Sequence, residues 1–293
     1  MAVAVPNFSE GRDREAIEAI TDCFASGAEL VDRHSDAVHN RTVLNLLASA
    51  DALREALVSG AHACIEQIDM RSHEGAHPCV GALDVCPLVW FDLEHREQAS
   101  DLAVEVGLAI GDLGVPVFLY GDLARDEERR ERAFFRRGGL PELAERMGSG
   151  ELRPDFGPGE PHPSAGATLV TARPPLAAFN VELDTADVEV ARAVAAQLRE
   201  SGGGFKGVRA IGIDLDGRAQ VSTNVHDPIA ISLGTVIEQV RALAAAHGAR
   251  PVAAEVVGLV PAAALRELPE DVPLRGFDPA RHVIENRLGP AAG

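Results

Sequence analysis

The sequence predicts an α+β protein made of two copies of one small topology, with two similar sheets facing a shared cleft. Residues 2–89 alternate apolar, β-prone runs with helical spacings in the order β-α-β-β-α-β, the split βαβ arrangement. Residues 178–256 repeat that order without obvious sequence identity to the first set. The composition agrees: 46% of the 293 residues are hydrophobic and only 4% aromatic, so the core is aliphatic and the length suffices for two ordinary domains.

The short apolar run 2–5 predicts a strand, broken by Pro6 into a polar loop. Apolar residues at Ala16, Ile17, Ile20 and Phe24 predict a helix over 12–24, and Gly27 fits just beyond its end. A strand starts at 29–32, a turn follows over 33–39, and 41–47 is the third strand. Leu53, Leu57, Ala61, Cys64 and Ile68 lie on one side of a helix over 51–68. A tight loop over 71–78 then enters a buried strand over 80–89. Helix 98–113 and strand 115–120 extend that sheet. The alternating charges of 126–137 read as a solvated helix face, ending at Arg136-Arg137-Gly138-Gly139, a basic end beside a glycine turn that suits an anion. The glycine- and proline-rich stretch 148–166 places a domain boundary, giving units 1–165 and 166–293. Strands at 168–171 and 178–183, a helix at 188–200, a hairpin turning at Asp216-Gly217, a helix at 233–246 and a strand at 252–256 complete the second half. A helix near 262–268 and an irregular tail end the chain.

The formal net charge of −18 argues against nucleic-acid binding, which needs a basic surface, while leaving room for an anionic small molecule in a locally cationic cleft. The four cysteines, Cys23, Cys64, Cys79 and Cys86, form no zinc-ligand spacing and read as free thiols. No apolar run is long enough for a membrane span, and residues 1–11 lack the pattern of a secretory signal; the cytoplasm is the expected compartment.

Chemistry concentrates at strand ends. His73 and His77 sit four apart, but Gly75 and Pro78 break any helix that would place both on one face. A loop histidine can take and return a proton near neutral pH; it can also serve as a hydrogen-bonded turn residue. Asp32 and Asp36 are carboxylates able to orient a histidine. Arg41 and Asp84 lie in apolar strands, where an unpaired charge is costly, so each must pair or reach a cleft. Three classes remain open on this evidence: a transferase or hydrolase using His77, a metal enzyme using His73 and His77 with His34 or His39, and a binding protein without catalysis.

Val5-Pro6-Asn7-Phe8-Ser9-Glu10-Gly11, Asn40-Arg41-Thr42-Val43, the stretch 73–85, Tyr120-Gly121, Arg136-Arg137-Gly138-Gly139, Pro154-Asp155-Phe156-Gly157-Pro158, Gly166-Ala167-Thr168, Ala178-Phe179-Asn180, Gln220-Val221-Ser222-Thr223-Asn224 and Val257-Gly258-Leu259-Val260-Pro261 together resemble glutamate formiminotransferase. The resemblance implies transfer of a formimino group from N-formimino-L-glutamate to tetrahydrofolate in histidine breakdown. It implies two ferredoxin-like βαββαβ subdomains, a homodimer, tetrahydrofolate as cosubstrate, small-molecule substrates and no metal. By the same resemblance, His77 is the catalytic histidine. The folate-binding segment is Gly157, Pro158, Gly159, Glu160, Pro161, His162, Pro163, Ser164, Ala165 and Gly166. A side chain at Gly166 is expected to enter the cleft, weakening folate binding more than stability, with little effect from the same change at Gly148. Asn7, Ser9, Asp36, Asn40, Arg41, Arg136, Arg137 and Asn224 are the candidate substrate contacts. A cyclodeaminase domain, fused in some relatives, is expected to be absent. The chain departs from the family pattern at Ala76 and Cys79, where Glu and Arg are usual, which removes a charge pair or an anion contact beside the reacting centre. The alternative is a folate- or small-anion-binding relative whose transfer activity is lost or altered.

Overall fold

A computed structural model describes residues 1–76, 78–91, 93–214 and 217–288. The chain divides into two compact units, Met1–Arg173 and Pro174–Gly293.

In the first unit, strands β1 (Ala2–Ala4) and β2 (Asn7–Phe8) lie between β4 (Arg41–Ala48) and β5 (Leu83–Val89), and β3 (Glu29–Asp36) pairs with β4. Helix α1 (Arg14–Phe24) starts where the Asp13 side chain accepts the Glu15 and Ala16 N–H groups, and α2 (Ala50–Gln67) where Ser49 caps Ala52. These elements give the expected β-α-β-β-α-β order, and their pairings are antiparallel. Asn7–Phe8, expected as loop, is strand because Asn7 lies opposite Val43 and Val85, across a bulge in the β5 pairing.

The sheet then grows by parallel pairing. After α3 (Leu93–Asp112) comes β6 (Val117–Leu119), and β7 (Thr168–Arg173) inserts between β5 and β6, with Val85 opposite Leu169 and Val117 opposite Thr168. This insertion moves the division of the chain to Arg173/Pro174, beyond the 165/166 division that the glycine- and proline-rich stretch suggested. Composition marks the loop, but strand pairing decides which unit owns the residues after it.

The charged run is not one solvated helix. It forms a 3-10 turn at Glu128–Arg130 and the short α4 (Arg132–Arg136), followed by α5 (Gly139–Gly148). Phe135 of α4 is fully buried against Phe118, ring centroids 5.2 Å apart, and this contact turns one face of α4 inward. In the main core Phe8 stacks on Phe24 at 6.3 Å. Truncating a fully buried Phe costs about 3–5 kcal/mol.

The second unit has β8 (Ala177–Leu183), α6 (Val188–Leu198), β9 (Val208–Asp214), β10 (Ala219–Val225), α7 (Leu233–Ala245) and β11 (Pro251–Val257), in the sheet order β11-β8-β10-β9. Phe179, Val181, Leu183, Val221 and Val225 are buried with Val194, Leu198, Val236 and Val240 of the two helices. The β9–β10 turn includes residues 215 and 216, which lie outside the described residues. The expected helix at 262–268 is a 3-10 turn, Ala262–Leu265. The tail is tied down, with Val260 N–H donating to His282 O at 2.9 Å and Ile284 N–H to Val260 O at 3.1 Å.

Candidate active site

In the first unit, three loops are stitched together by hydrogen bonds. Ser9 N–H donates to Ala82 O at 2.8 Å, and its buried hydroxyl donates to Gly81 O at 2.7 Å. Asn7 is also buried, its amide donating to Val5 O at 2.8 Å. Each side chain donates a hydrogen bond to backbone.

The turn after β3 is a second bracket. Asp36 Oδ1 accepts the Val38 and His39 N–H groups at 2.8 and 2.9 Å, and Oδ2 meets His39 Nδ1 at 2.7 Å. Burial pushes the Asp36 carboxyl up, but these His39 and Val38 contacts outweigh it and the pKa is lowered. Asn40 has a left-handed backbone, φ 49°, which Asn tolerates better than most residues. Its Oδ1 accepts Gly11 N–H at 2.9 Å, and its Nδ2 donates to Glu74 O at 2.9 Å and faces His73 Nδ1 at 3.3 Å. A Cβ at Gly11 would overlap the Asp36 carbonyl, so this approach needs glycine.

The histidine loop docks on that turn. Ala76 N–H donates to Val38 O at 3.1 Å, and Gly75 packs on the His39 carbonyl. His77 itself lies outside the described residues. Burial lowers the His73 pKa; the Glu10 and Asp84 carboxylates oppose this and Arg12 adds to it.

Beyond the loop, the buried Asp84 accepts Val80 N–H at 2.8 Å and forms an ion pair with Arg136 of α4. It is thus the hydrogen-bond hub that an Asp in an apolar strand has to be. Arg41, opposite Asp36 in the β3–β4 register, has its pKa lowered by burial; Asp84 supports its charge, while Arg132 and Arg136 repel it. Burial also pulls Arg173, at the end of β7, down to about 10. Arg132 lies over the Tyr120 ring at 6.0 Å, and burial raises the Tyr120 pKa. Arg132, Arg173 and Tyr120 thus join a cationic group that sequence reading found only in part. The available signal was the Arg132–Arg136 spacing, one helical turn. Arg137 does not join it: it pairs with Glu142 at 3.0 Å and Glu151 at 3.1 Å and lies over the Phe134 ring. α4 ends at Arg136, and Arg137 is its non-helical cap, so the two side chains leave the helix end toward different partners. Burial pushes the Cys79 thiol up to about 11, Asp84 adding to it and Ser9 and Arg136 opposing.

The segment 157–166 is anchored at both ends. Asp155 Oδ2 accepts Leu119 N–H at 2.8 Å, and Val117 N–H donates to Phe156 O at 2.9 Å. At the far end His162 and Gly166 exchange backbone hydrogen bonds at 2.8 and 3.0 Å, while His162 Nδ1 accepts Ser164 and Ala165 N–H at 3.3 and 3.0 Å. Met70 N–H donates to Ser164 O at 2.7 Å, Ala82 N–H to Ala165 O at 2.9 Å and Ala167 N–H to Val80 O at 2.9 Å, so this segment flanks the histidine loop on both sides. Gly157, Pro158, Gly159 and Glu160 are exposed, as is Pro163; Pro161, His162 and Ser164 are half-buried, and Ala165 and Gly166 are buried. A Cβ at Gly166 would overlap the Val80 carbonyl, and its φ is 69°, so a side chain there meets backbone rather than open space, contrary to expectation. Asn224 lies in the second unit, exposed on β10 opposite Ala178 and Arg209.

Among the described residues, no group of three or more His, Cys, Asp and Glu is placed to hold a metal ion, and no helix is long and apolar enough to cross a membrane.

This is a two-unit α+β chain whose first unit brings together a histidine loop, a buried carboxylate and several arginines. Residues 1–173 match the family model for the formiminotransferase domain, N-terminal subdomain, and residues 178–270 that for the formiminotransferase domain. The chain is 38% identical over 290 residues to a glutamate formimidoyltransferase of Streptococcus pyogenes serotype M1, covering 97% of each chain. It is 35% identical to one of Thermoplasma acidophilum, over 98% of this chain and 97% of that one. Against a formimidoyltransferase-cyclodeaminase of Sus scrofa it is 40% identical over 276 residues, 89% of this chain and 50% of the relative. The chain belongs to the formiminotransferase family.

Proposed function

We propose that the chain transfers the formimino group of N-formimino-L-glutamate to tetrahydrofolate, giving 5-formiminotetrahydrofolate and L-glutamate, with His77 as general acid and base. The observation that carries this reading is the match to a glutamate formimidoyltransferase over 97% of both chains. Pterin nitrogen 5 attacks the formimino carbon and becomes positively charged; neutral His77 removes its proton. The carbon–nitrogen bond to glutamate then breaks as His77 returns a proton to the departing nitrogen. Acid–base help of this kind contributes roughly 10²–10⁴-fold. Holding both substrates in attack geometry contributes more, on the order of 7–11 kcal/mol. Proton transfer alone serves this sequence of steps, so the proposed reaction needs no metal.

Arg41 and Arg136 are the proposed anion contacts; their placement around Asp84 supports this. The exposed part of 157–166 is the proposed folate contact. Asn7, Ser9 and Asn40 are better read as scaffold, since their side chains are hydrogen-bonded to backbone. The enzyme is proposed to work in the cytoplasm as a homodimer.

The test is an assay of purified protein with formiminoglutamate and tetrahydrofolate, following 5-formiminotetrahydrofolate. A second reading, folate binding with altered transfer, is favoured by Ala76 and Cys79. With its thiol pushed up to about 11, Cys79 is neutral at pH 7 and supplies neither a cation nor a thiolate. Tight binding of reduced folate without product would establish that reading instead.

A further inference from the structure

The two histidines of the loop are alike in sequence, and the hydrogen bonds around Asn40 separate them. The Gly11 N–H can only donate, so the atom facing it is the Asn40 oxygen, at 2.9 Å. The Glu74 carbonyl can only accept, so the atom facing it is the Asn40 amide nitrogen, also at 2.9 Å. Two backbone groups therefore fix which way the carboxamide points. Turning it over would set N–H against N–H and oxygen against oxygen. Asn40 is 7% exposed and sits in a left-handed turn, so its backbone is as constrained as its amide. The amide nitrogen has a second hydrogen to donate, and His73 Nδ1 lies 3.3 Å from that nitrogen. A nitrogen receiving that hydrogen must offer its lone pair.

We infer that Asn40 is a positioning residue that holds His73 neutral, with its proton on Nε2, so that His73 takes no part in the proton cycling proposed for His77. A second proton on His73 would face the amide hydrogen. The other groups acting on the ring are the Glu10 and Asp84 carboxylates and a hydrogen bond to the Ser9 backbone, which favour its protonation, and Arg12, which opposes it. Burial weighs against the charged ring more than any of these. The same amide holds the Glu74 carbonyl, three residues before His77, so the tautomer lock and the anchor of the catalytic loop are one side chain. This inference rests on the proposed reaction for its catalytic meaning, although the tautomer itself does not.

Nitrogen-15 NMR of the histidine rings tests it, the His73 signals being assigned by their loss in His73→Gln. The wild-type ring should show a protonated Nε2 and a bare Nδ1 at pH 7. In Asn40→Asp a carboxylate replaces the amide hydrogen, and the His73 midpoint should rise by about one unit or more. Gln can both accept from Asn40 and donate onward, so His73→Gln should keep kcat within about tenfold, while His77→Gln loses about 10² or more. A wild-type ring protonated on Nδ1, or doubly protonated at pH 7, would overturn the inference whatever the activity. So would a loss of 10² in kcat at unchanged KM in folded His73→Gln. The expected spectrum in a protein that makes no formiminotetrahydrofolate would support the lock and remove the reaction assignment alone.

Discussion

The two units share the β-α-β-β-α-β order, yet they bury polar groups in different ways. In the second, Glu182 is the buried carboxylate, and its partners Arg218 and Arg275 are each 53% exposed. In the first, Asp84 and Arg136 are 1% and 10% exposed, with Arg41 nearby under its own burial penalty. The difference arises in the connection between β5 and β7. That connection contributes α3, β6, α4, α5 and the 157–166 segment; α4 brings Arg136 onto Asp84, and the segment brackets the histidine loop. The second unit keeps the bare topology and has no such connection. A repeated fold supplies two scaffolds, and the insertion decides which of them gathers charge in its interior.

The largest expected effect tests whether the chemistry belongs to the first unit at all. His77→Ala should lower turnover by about 10² or more, leaving fold and folate affinity largely intact. Steady-state kinetics with calorimetric titration of a reduced folate measures both. Near-normal turnover in His77→Ala, with turnover abolished in His73→Ala, would reverse the assignment of the two histidines.

The next prediction sets Asp84 against Glu182. Asp84→Ala leaves Arg136 buried without its partner and Val80 N–H without an acceptor, and should cost about 3–5 kcal/mol. That corresponds to a fall in Tm of roughly 10 °C. Glu182→Ala leaves two arginines that can turn to water, and should cost no more than about 1 kcal/mol. Equal losses in thermal melts would mean that the insertion does not change the energetics of burial.

A third comparison lies within the segment. Gly166→Ala must strain φ and move the Val80 carbonyl, so it should destabilise the fold. At Gly159 a Cβ would meet nothing within 4 Å, so Ala there should bring no loss of stability. If 157–166 holds folate, Gly159→Trp should weaken binding of a reduced folate in a protein that melts normally. Unchanged affinity in that variant would make the segment a connector.

The smallest effect is in pH. The folded His73 pKa lies below its ordinary value of 6.5, so the unfolded chain binds this proton first as pH falls. The neutral ring's contribution is complete above pH 6.5 and is lost between there and the lowered folded value. His73→Gln should therefore flatten that part of the stability curve in urea titrations repeated from pH 7 to 5. An unchanged acid limb would show that His73 titrates alike in the folded and unfolded chain.

Much of this was legible in the sequence. Helical spacing at Ala16, Ile17, Ile20 and Phe24, and at Leu53, Leu57, Ala61, Cys64 and Ile68, put α1 and α2 within two residues of where they lie. The cost of burying charge marked Arg41 and Asp84 before any partner was visible. What was hidden depended on contacts between distant residues. Nothing local says that Thr168–Arg173 runs parallel to β5, or that Phe135 turns α4 inward and sends Arg136 and Arg137 to different partners. Asn40 looked like a substrate contact because its left-handed turn and its two backbone partners, one 29 residues before it and one 34 after, belong to the folded chain.

The place of β7 bears on how the first unit can form during synthesis. Val85 meets Leu169 across 84 residues of chain, with β6 held on the far side of β7. Closing so long a loop is slow, and until residue 173 has been made, β5 has a bare hydrogen-bonding edge among buried apolar side chains. A chain cut at residue 165 should therefore display a sticky strand edge and self-associate, whereas one cut after Arg173 carries the strand that covers it.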